Sequence, residues 1–393
     1  MKTISATFKI VTPMFLGDAE QKATSIRPPS IKGALRFWWR ALNWKNAIEQ
    51  NNGNEDAAVS WLHREEARLF GTAANDNTDT PSGQGVFLLK VKQKRLTTYR
   101  IGESIERKTT GIEYLMGQGL WHFRNKLTRD AIKEGQEFSV SLAFKPYIEP
   151  TDIDMIVKAF CLFGLLGGLG SRARHGFGSV AIQNVTSNEI SLPCDFKLSQ
   201  TQEGYISLIK QIVGTLSDVP LPPISAFSSL SKVNIVCEGD SPQSILSCVG
   251  KEMQLYRSYG RHGRVGGQAA EQNFQDDHDN VKNMTLQTPP RRTVFGLPHN
   301  YFFSSDGTNI EINAIHDKTE ARRASPLLLH IHPIGRSHVA VHTLLQSLFL
   351  PQEAKVVVKN KQSRETVKLS PTVEYGVIET YLDRFQDAKR IIG

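Results

Sequence analysis

The stretch 163–180, FGLLGGLGSRARHGFGSV, sets glycine at 164, 167, 168, 170, 176 and 178 around two arginines and a histidine. Glycine admits positive φ and lets another backbone or a ligand approach closely. Arginine presents a planar fork of donors that matches a phosphate. An apolar helical run at 151–166 leads into this stretch, and a strand-like run at 176–185 leads out of it. The order is thus helix, bare loop, strand. A helix C-cap accounts for one or two glycines, not six. Gly168, Gly170 and Ala173 also fit G-x-G-x-x-A, but that dinucleotide pattern requires strand, loop, helix, the reverse of the order here. No GxxxxGK[ST] occurs, which excludes a P-loop.

Elsewhere the pattern alternates strands with helices. Residues 3–12 read as a strand, 31–46 as a helix with Ser30 as N-cap, and 60–70 as a helix closed by Gly71. A polar loop at 72–85 precedes strands at 86–93 and 136–145. Residues 220–229, PLPPISAFSS, read as a linker. The second half offers a strand at 232–238, a helix at 242–256, a polar insertion at 257–293 and a strand at 324–332. Helices at 338–349 and 373–387 then flank strands at 354–359 and 364–369. The fold class is α+β, with a sheet covered on one face by helices, of the ferredoxin-like type. A chain of 393 residues exceeds one ordinary core. Two domains are expected, 1–215 with the glycine-rich loop and 216–393 with the polar insertion.

The 47 Lys and Arg against 39 Asp and Glu leave a net charge of +8, which favours an anionic partner: nucleic acid, an acidic protein or a membrane surface. Cysteines at 161, 194, 237 and 248 form no CxxC pair, so a zinc knuckle is not expected. The first residues lack the continuous apolar core of a signal peptide. The run 155–169 is broken by Lys158 and glycines and is too short to span a bilayer. A soluble, cytoplasmic protein with no membrane partner is expected.

The helix at 31–46 carries the second signal. Ile31, Ala34, Leu35, Trp38 and Leu42 form one apolar face, and Lys32, Arg36 and Arg40 form a basic stripe on another. Phe37, Trp39 and Trp44 flank them. Charge along a backbone and rings against bases is how single-stranded nucleic acid is held. The plain alternative is a solvated basic face beside a tryptophan core. His330 and His332 share one face of a strand; His338 and His342, on a helix, share one face. They offer zinc ligands but no acidic partner of the HExxH kind, and packed histidines are the simpler reading. Asp276, Asp277, His278 and Asp279 suit a metal or, more simply, a helix N-terminus. Arg257, Arg261, His262 and Arg264, with Tyr256 and Tyr259, read as a nucleic-acid arm or a surface loop. His63 and His175 are candidate nuclease bases. His175, between Arg172, Arg174 and the glycines, suits positioning better than catalysis.

Ile26-Arg27 followed by PPSIKGALRFWWRAL resembles the N-terminal signature of the first-numbered subunits of Cmr complexes, the type III-B CRISPR effectors. GGLGSRARHGFGSV is similar to the glycine-rich loop of the wider RAMP superfamily, and RRTVFGLPHNYF and RRASPLLLHIHPIG resemble the same subunits. The likeness spans about residues 4–335. It implies two ferredoxin-like, RRM-related domains with antiparallel sheets in one subunit per ribonucleoprotein filament. The subunit would sit at one end, near the 3′ part of the guide (CRISPR) RNA and its target RNA, beside other Cmr/RAMP subunits. It implies antiviral defence without nuclease activity or cofactor. The RNA-facing positions it implies are Lys32, Arg36 and Arg40, with Arg172, Arg174 and His175; Gly168, Gly170 and Ser171 of the loop are expected to contact RNA beside them. Two readings compete: a metal-independent guide-processing endoribonuclease of the same superfamily using His175 or His63, and a metal hydrolase using the 330–342 histidines.

Overall fold

A computed structural model describes residues 2–18, 20, 22–72, 83–105, 110–192, 200–216 and 218–393. Most of the expected 72–85 loop lies outside the described residues. The first half contains β1 (Thr3–Ile10), α1 (Pro28–Gln50), α2 (Glu55–Phe70), β2 (Phe87–Gln93), α3 (Thr110–Met116), β3 (Glu137–Phe144), α4 (Pro150–Leu166), β4 (Val180–Asn188) and α5 (Gln202–Val213). Its sheet runs β4-β1-β3-β2 with every pair antiparallel. Strict alternation places Ile4, Ala6, Phe8 and Ile10 of β1 in the core. The opposite face of the sheet carries hydroxyls, with Ser5 bonded to Ser141 at 2.7 Å. Helix α1 begins at Pro28, earlier than expected, with Arg27 and not Ser30 at the N-cap. Proline suits the first helical turn because its missing N–H is not needed there.

The second half contains β5 (Lys232–Gly239), α6 (Pro242–Arg257), α7 (Gln275–Lys282), β6 (His299–Phe303), β7 (Thr308–His316), β8 (Thr319–Ala321), β9 (Leu327–Ile334), β10 (Ser337–Leu344), β11 (Lys355–Asn360), β12 (Thr366–Leu369), α8 (Gly376–Leu382) and β13 (Lys389–Ile392). Its main sheet runs β9-β10-β5-β13, again all antiparallel. Counted within each half, both sheets have the order fourth, first, third, second. A further sheet runs β6-β7-β11-β12, with β8 beside β7. The mixed α+β class with antiparallel sheets is as expected.

Three elements differ from expectation. Residues 338–349 are not a helix; they open with strand β10. Val339, Val341 and Thr343 alternate there, and β-branched side chains favour the extended backbone. The helix expected over 373–387 is confined to Gly376–Leu382. The third sheet joins the expected strands at 354–359 and 364–369, here β11 and β12, to β6, β7 and β8, which the sequence pattern does not predict. The polar 257–293 segment is ordered around α7, where buried Asp277 accepts the amides of Arg291 and Arg292 at 2.9 and 3.0 Å. The acidic run is therefore part of a helix start and a turn brace.

The core is continuous across the chain midpoint. Strand β9 is buried along nearly its whole length because both of its faces are covered. Leu328 joins the cluster that holds α4, α5 and the first sheet. Leu329 and Ile331 join the cluster built on α3, α6 and α8. Helices α3 and α6 meet through Gly111 and Gly250, where a Cβ on Gly250 would lie 2.2 Å from the Gly111 carbonyl oxygen.

Candidate nucleic-acid interface

Helix α4 ends at Gly167, whose amide donates to the Phe163 carbonyl at 2.9 Å. The chain then folds back on itself. Gly170 has φ +89° and Gly178 has φ +62°, a region other residues avoid. A Cβ at these positions would lie 2.5 Å from the Phe15 oxygen and 2.0 Å from the Leu169 oxygen. The amides of Leu169, Ser171, His175 and Gly178 are all bonded within the protein, to Gly178, Phe15, Arg172 and Pro13. These amides are therefore not available to a phosphate. The glycines chiefly allow close packing, and the loop presents its side chains. Strand β9 holds the loop from the other half: the Leu329 amide donates to Arg174 at 2.9 Å, and the Ile331 amide to Ser179 Oγ at 3.1 Å.

Against this loop lies a cleft of about 730 Å³, walled by the turn after α3, the end of α6 and segments 295–300 and 323–325. Arg172, Arg174, Arg257 and Arg323 line it, and among the described residues no carboxylate does. The arginines that form ion pairs among the described residues are others: Arg36, Arg40, Arg68, Arg100 and Arg384. Burial, helped by Arg323, lowers the Arg174 guanidinium to about 10. Burial and the neighbouring Arg257 lower Arg172 as well. Three of the guanidinia lie over rings, Arg174 on Phe37 at 5.1 Å, Arg257 on Phe295 at 4.4 Å and Arg323 on Phe349 at 5.8 Å. Stacking pre-orients them. Arg257 Nε, Arg323 Nε and His299 Nδ1 are buried without a hydrogen-bond partner. Guanidinia that repel one another without a counter-ion among the described residues favour an anion between them.

His175 lines the same cleft, held down to about 3 by burial and then by Arg172 and Arg257. It is neutral at physiological pH. His299 is likewise pushed well below its usual value by burial and the nearby arginines.

The structure sorts the other expected residues. Gly170, Arg172, Arg174 and His175 line the cleft, whereas Gly168 lies on the far side of the loop and Ser171 on the flank beside Phe15. Arg36 and Arg40 both donate to Glu66 of α2, a buried carboxylate, so this part of the stripe is turned into the α1–α2 seam. Helical periodicity identifies the stripe but not the acid that faces it. Lys32 is half-buried with no ion pair among the described residues, and burial and Arg36 lower its ammonium. His63 is exposed on α2 and does not line the cleft. His330 and His332 sit on one face of the second sheet, and His342 on the other, where it approaches Tyr381 at 3.3 Å. Among the described residues no group of three or more His, Cys, Asp or Glu is placed to hold a metal. Among the described residues no helix is long and apolar enough to cross a membrane.

Arg323 and His299 escaped the sequence reading as site residues, although both fall within or beside the segments RRTVFGLPHNYF and RRASPLLLHIHPIG. Nothing local distinguishes them; only the fold brings Arg323 to Arg174. A hairpin pairing Trp121 with Leu127 follows the Gly117–Gly119 wall and exposes Phe123 at its tip, with Arg124 over the ring at 5.2 Å.

Comparison with known proteins bears on this geometry. Residues 7–181 match the sequence pattern of the RAMP superfamily. A CRISPR system Cmr subunit, Cmr1-2 of Pyrococcus furiosus, is 27% identical over 185 residues, covering 44% of this chain and 91% of the relative. The apo crystal structure of Cmr1 from Pyrococcus furiosus superposes with a TM-score of 0.56 at 18% identity, over 100% of this chain and 99% of that one. A chain from a type III-B Cmr-beta complex bound to cognate target RNA gives 0.54 at 11% identity, over 98% and 99%.

Proposed function

We propose, from the premise that residues 7–181 form a RAMP superfamily domain, that this chain is a non-catalytic RNA-binding subunit of a type III-B CRISPR effector. Both four-stranded sheets are then ferredoxin-like, RRM-related units, 1–215 and 216–393, an assignment supported by their common strand order. The subunit would act in the cytoplasm in antiviral defence. It would stand once per complex at one end of the filament, beside other Cmr subunits, on the 3′ part of the guide RNA or its target duplex.

The observation that carries this reading is the carboxylate-free cleft with Arg172, Arg174, Arg257 and Arg323. Guanidinia fixed over rings suit phosphates. Lys32 extends the basic surface on α1, whereas Arg36 and Arg40 hold α2 through Glu66. The depressed basicity of His175 weighs against the endoribonuclease alternative. A general base works best with a pKa near the operating pH, and His175 is held near 3.

The test is a titration of single-stranded guide-like RNA in EDTA, followed by gel analysis of the strand. Binding without cleavage is expected, and His175→Ala leaves the strand equally intact. Cleavage that His175→Ala abolishes would replace this reading with the nuclease one.

A further inference from the structure

A second cavity, about 370 Å³, lies on the opposite side of the glycine loop from the arginine cleft. Its walls are Ala34, Phe37 and Trp38 of α1, residues 166–170 of the loop root, and Leu328 of β9. Helix α1 does therefore form a wall with the loop, through its apolar and aromatic side and not through Arg36 and Arg40. Gly170, Ala173 and Arg174 line both cavities. Arg174 stands between them, its guanidinium over the Phe37 ring and one nitrogen donating to the Ser325 carbonyl.

We propose that this slot receives one unpaired nucleobase of an RNA strand whose phosphates lie in the arginine cleft. The inference rests on the RNA-binding reading above. Three features select a base as occupant. The slot is mostly apolar and has a ring wall, Phe37 against Trp38 at 5.1 Å. Its volume of about 370 Å³ has room for a base. It shares Gly170, Ala173 and Arg174 with the cleft, so a base held in the slot brings its own phosphate close to the Arg174 guanidinium. An apolar side chain of a protein partner would fill the slot but bring no anion to Arg174. Base stacking on an aromatic wall tolerates any sequence, because every base has a π face. The slot thus fixes the position of a nucleotide without reading its identity.

The test walks one abasic nucleotide along a guide-like single-stranded RNA and titrates each strand against wild type, Ala34→Trp and Phe37→Leu. Ala34→Trp fills the slot; Phe37→Leu removes the ring and keeps the apolar volume, so the result does not depend on the larger substitution folding. At one position the abasic gap is expected to weaken wild type about tenfold and to leave both variants unchanged, since they have already lost the base contact. Equal abasic effects in wild type and variants, with wild type still binding RNA, would overturn the slot while sparing the cleft. Normal RNA binding by Ala34→Trp with loss of another Cmr subunit would assign the slot to a protein side chain and overturn it too. A wild-type chain that binds no RNA overturns both readings.

Discussion

His330 Nδ1 lies 2.9 Å from the carbonyl oxygen of Gly167, which joins the second sheet to the root of the glycine loop. A carbonyl only accepts, so His330 carries its proton on Nδ1. Its Nε2 then accepts from His332 Nδ1, 3.2 Å away. The His332 ring stacks on Tyr205 at 4.2 Å, and the Tyr205 hydroxyl donates to Leu165 at 2.6 Å. The end of α4 is thereby fixed on both sides, and the loop leaves it in one direction.

This relay works with neutral rings. Burial holds His330 down to about 3 and His342 to about 4, and His332 well below its usual value. In the unfolded chain each takes up a proton near 6.5. Below pH 6.5 the unfolded state therefore binds more protons, and stability falls as pH falls. Each ring contributes about 1.4 kcal/mol per pH unit in that window, about 4 kcal/mol for the three. Urea midpoints at pH 7.5 and 5.5 are expected to differ strongly, and because burial also holds His175 and His299 down, His342→Gln is expected to reduce the difference by about a fifth. Equal midpoints at the two pH values would contradict the buried neutral rings.

Arg40→Ala is expected to act on stability more than on RNA binding. Its partner Glu66 is buried, with 5% of its side chain exposed, while Arg36 and Arg40 retain 35% and 34%. Because the guanidinia are partly solvated and Arg36 remains, the cost is about 1–2 kcal/mol. The salt dependence of RNA binding is expected to stay unchanged. A lowered slope with unaltered melting would place Arg40 on the RNA.

Two glycines of like conformation should respond differently to alanine. Gly53 has φ +82° and open space where a Cβ would go, so Gly53→Ala costs about 1 kcal/mol from backbone strain alone. Gly178 has φ +62° and a carbonyl oxygen 2.0 Å from that Cβ, so Gly178→Ala costs about 3 kcal/mol or more. Denaturant titration of the two variants measures the gap; equal losses would mean that the loop relaxes freely.

What the sequence disclosed follows from how local each signal is. The helix, loop and strand at 150–188 are written in contiguous residues, and Arg172 and Arg174 came with them. The wall opposite is not local: Arg323 lies 149 positions after Arg174 and reaches it only once β9 docks on the loop. The stripe on α1 was legible as a stripe, but its facing carboxylate, Glu66, belongs to another helix. His338 and His342 are four apart, a spacing that suits one face of either a helix or a strand, and only the alternating Val339, Val341 and Thr343 separate the two. Of the third sheet, β11 and β12 are legible as strands in the sequence, whereas β6 and β7 are not predicted, although Ile310, Ile312 and Ala314 alternate inward along β7.

On the proposed reading the four-arginine cleft holds the phosphates of a single RNA strand. The affinity of wild type and Arg172→Ala/Arg323→Ala for one single-stranded RNA, measured across a salt series, tests it most directly. The plot of log K against log salt is expected to flatten by about 0.7 for each phosphate contact removed, about 1.4 for the pair, with the variant still folded. An unchanged slope in a folded variant would contradict it.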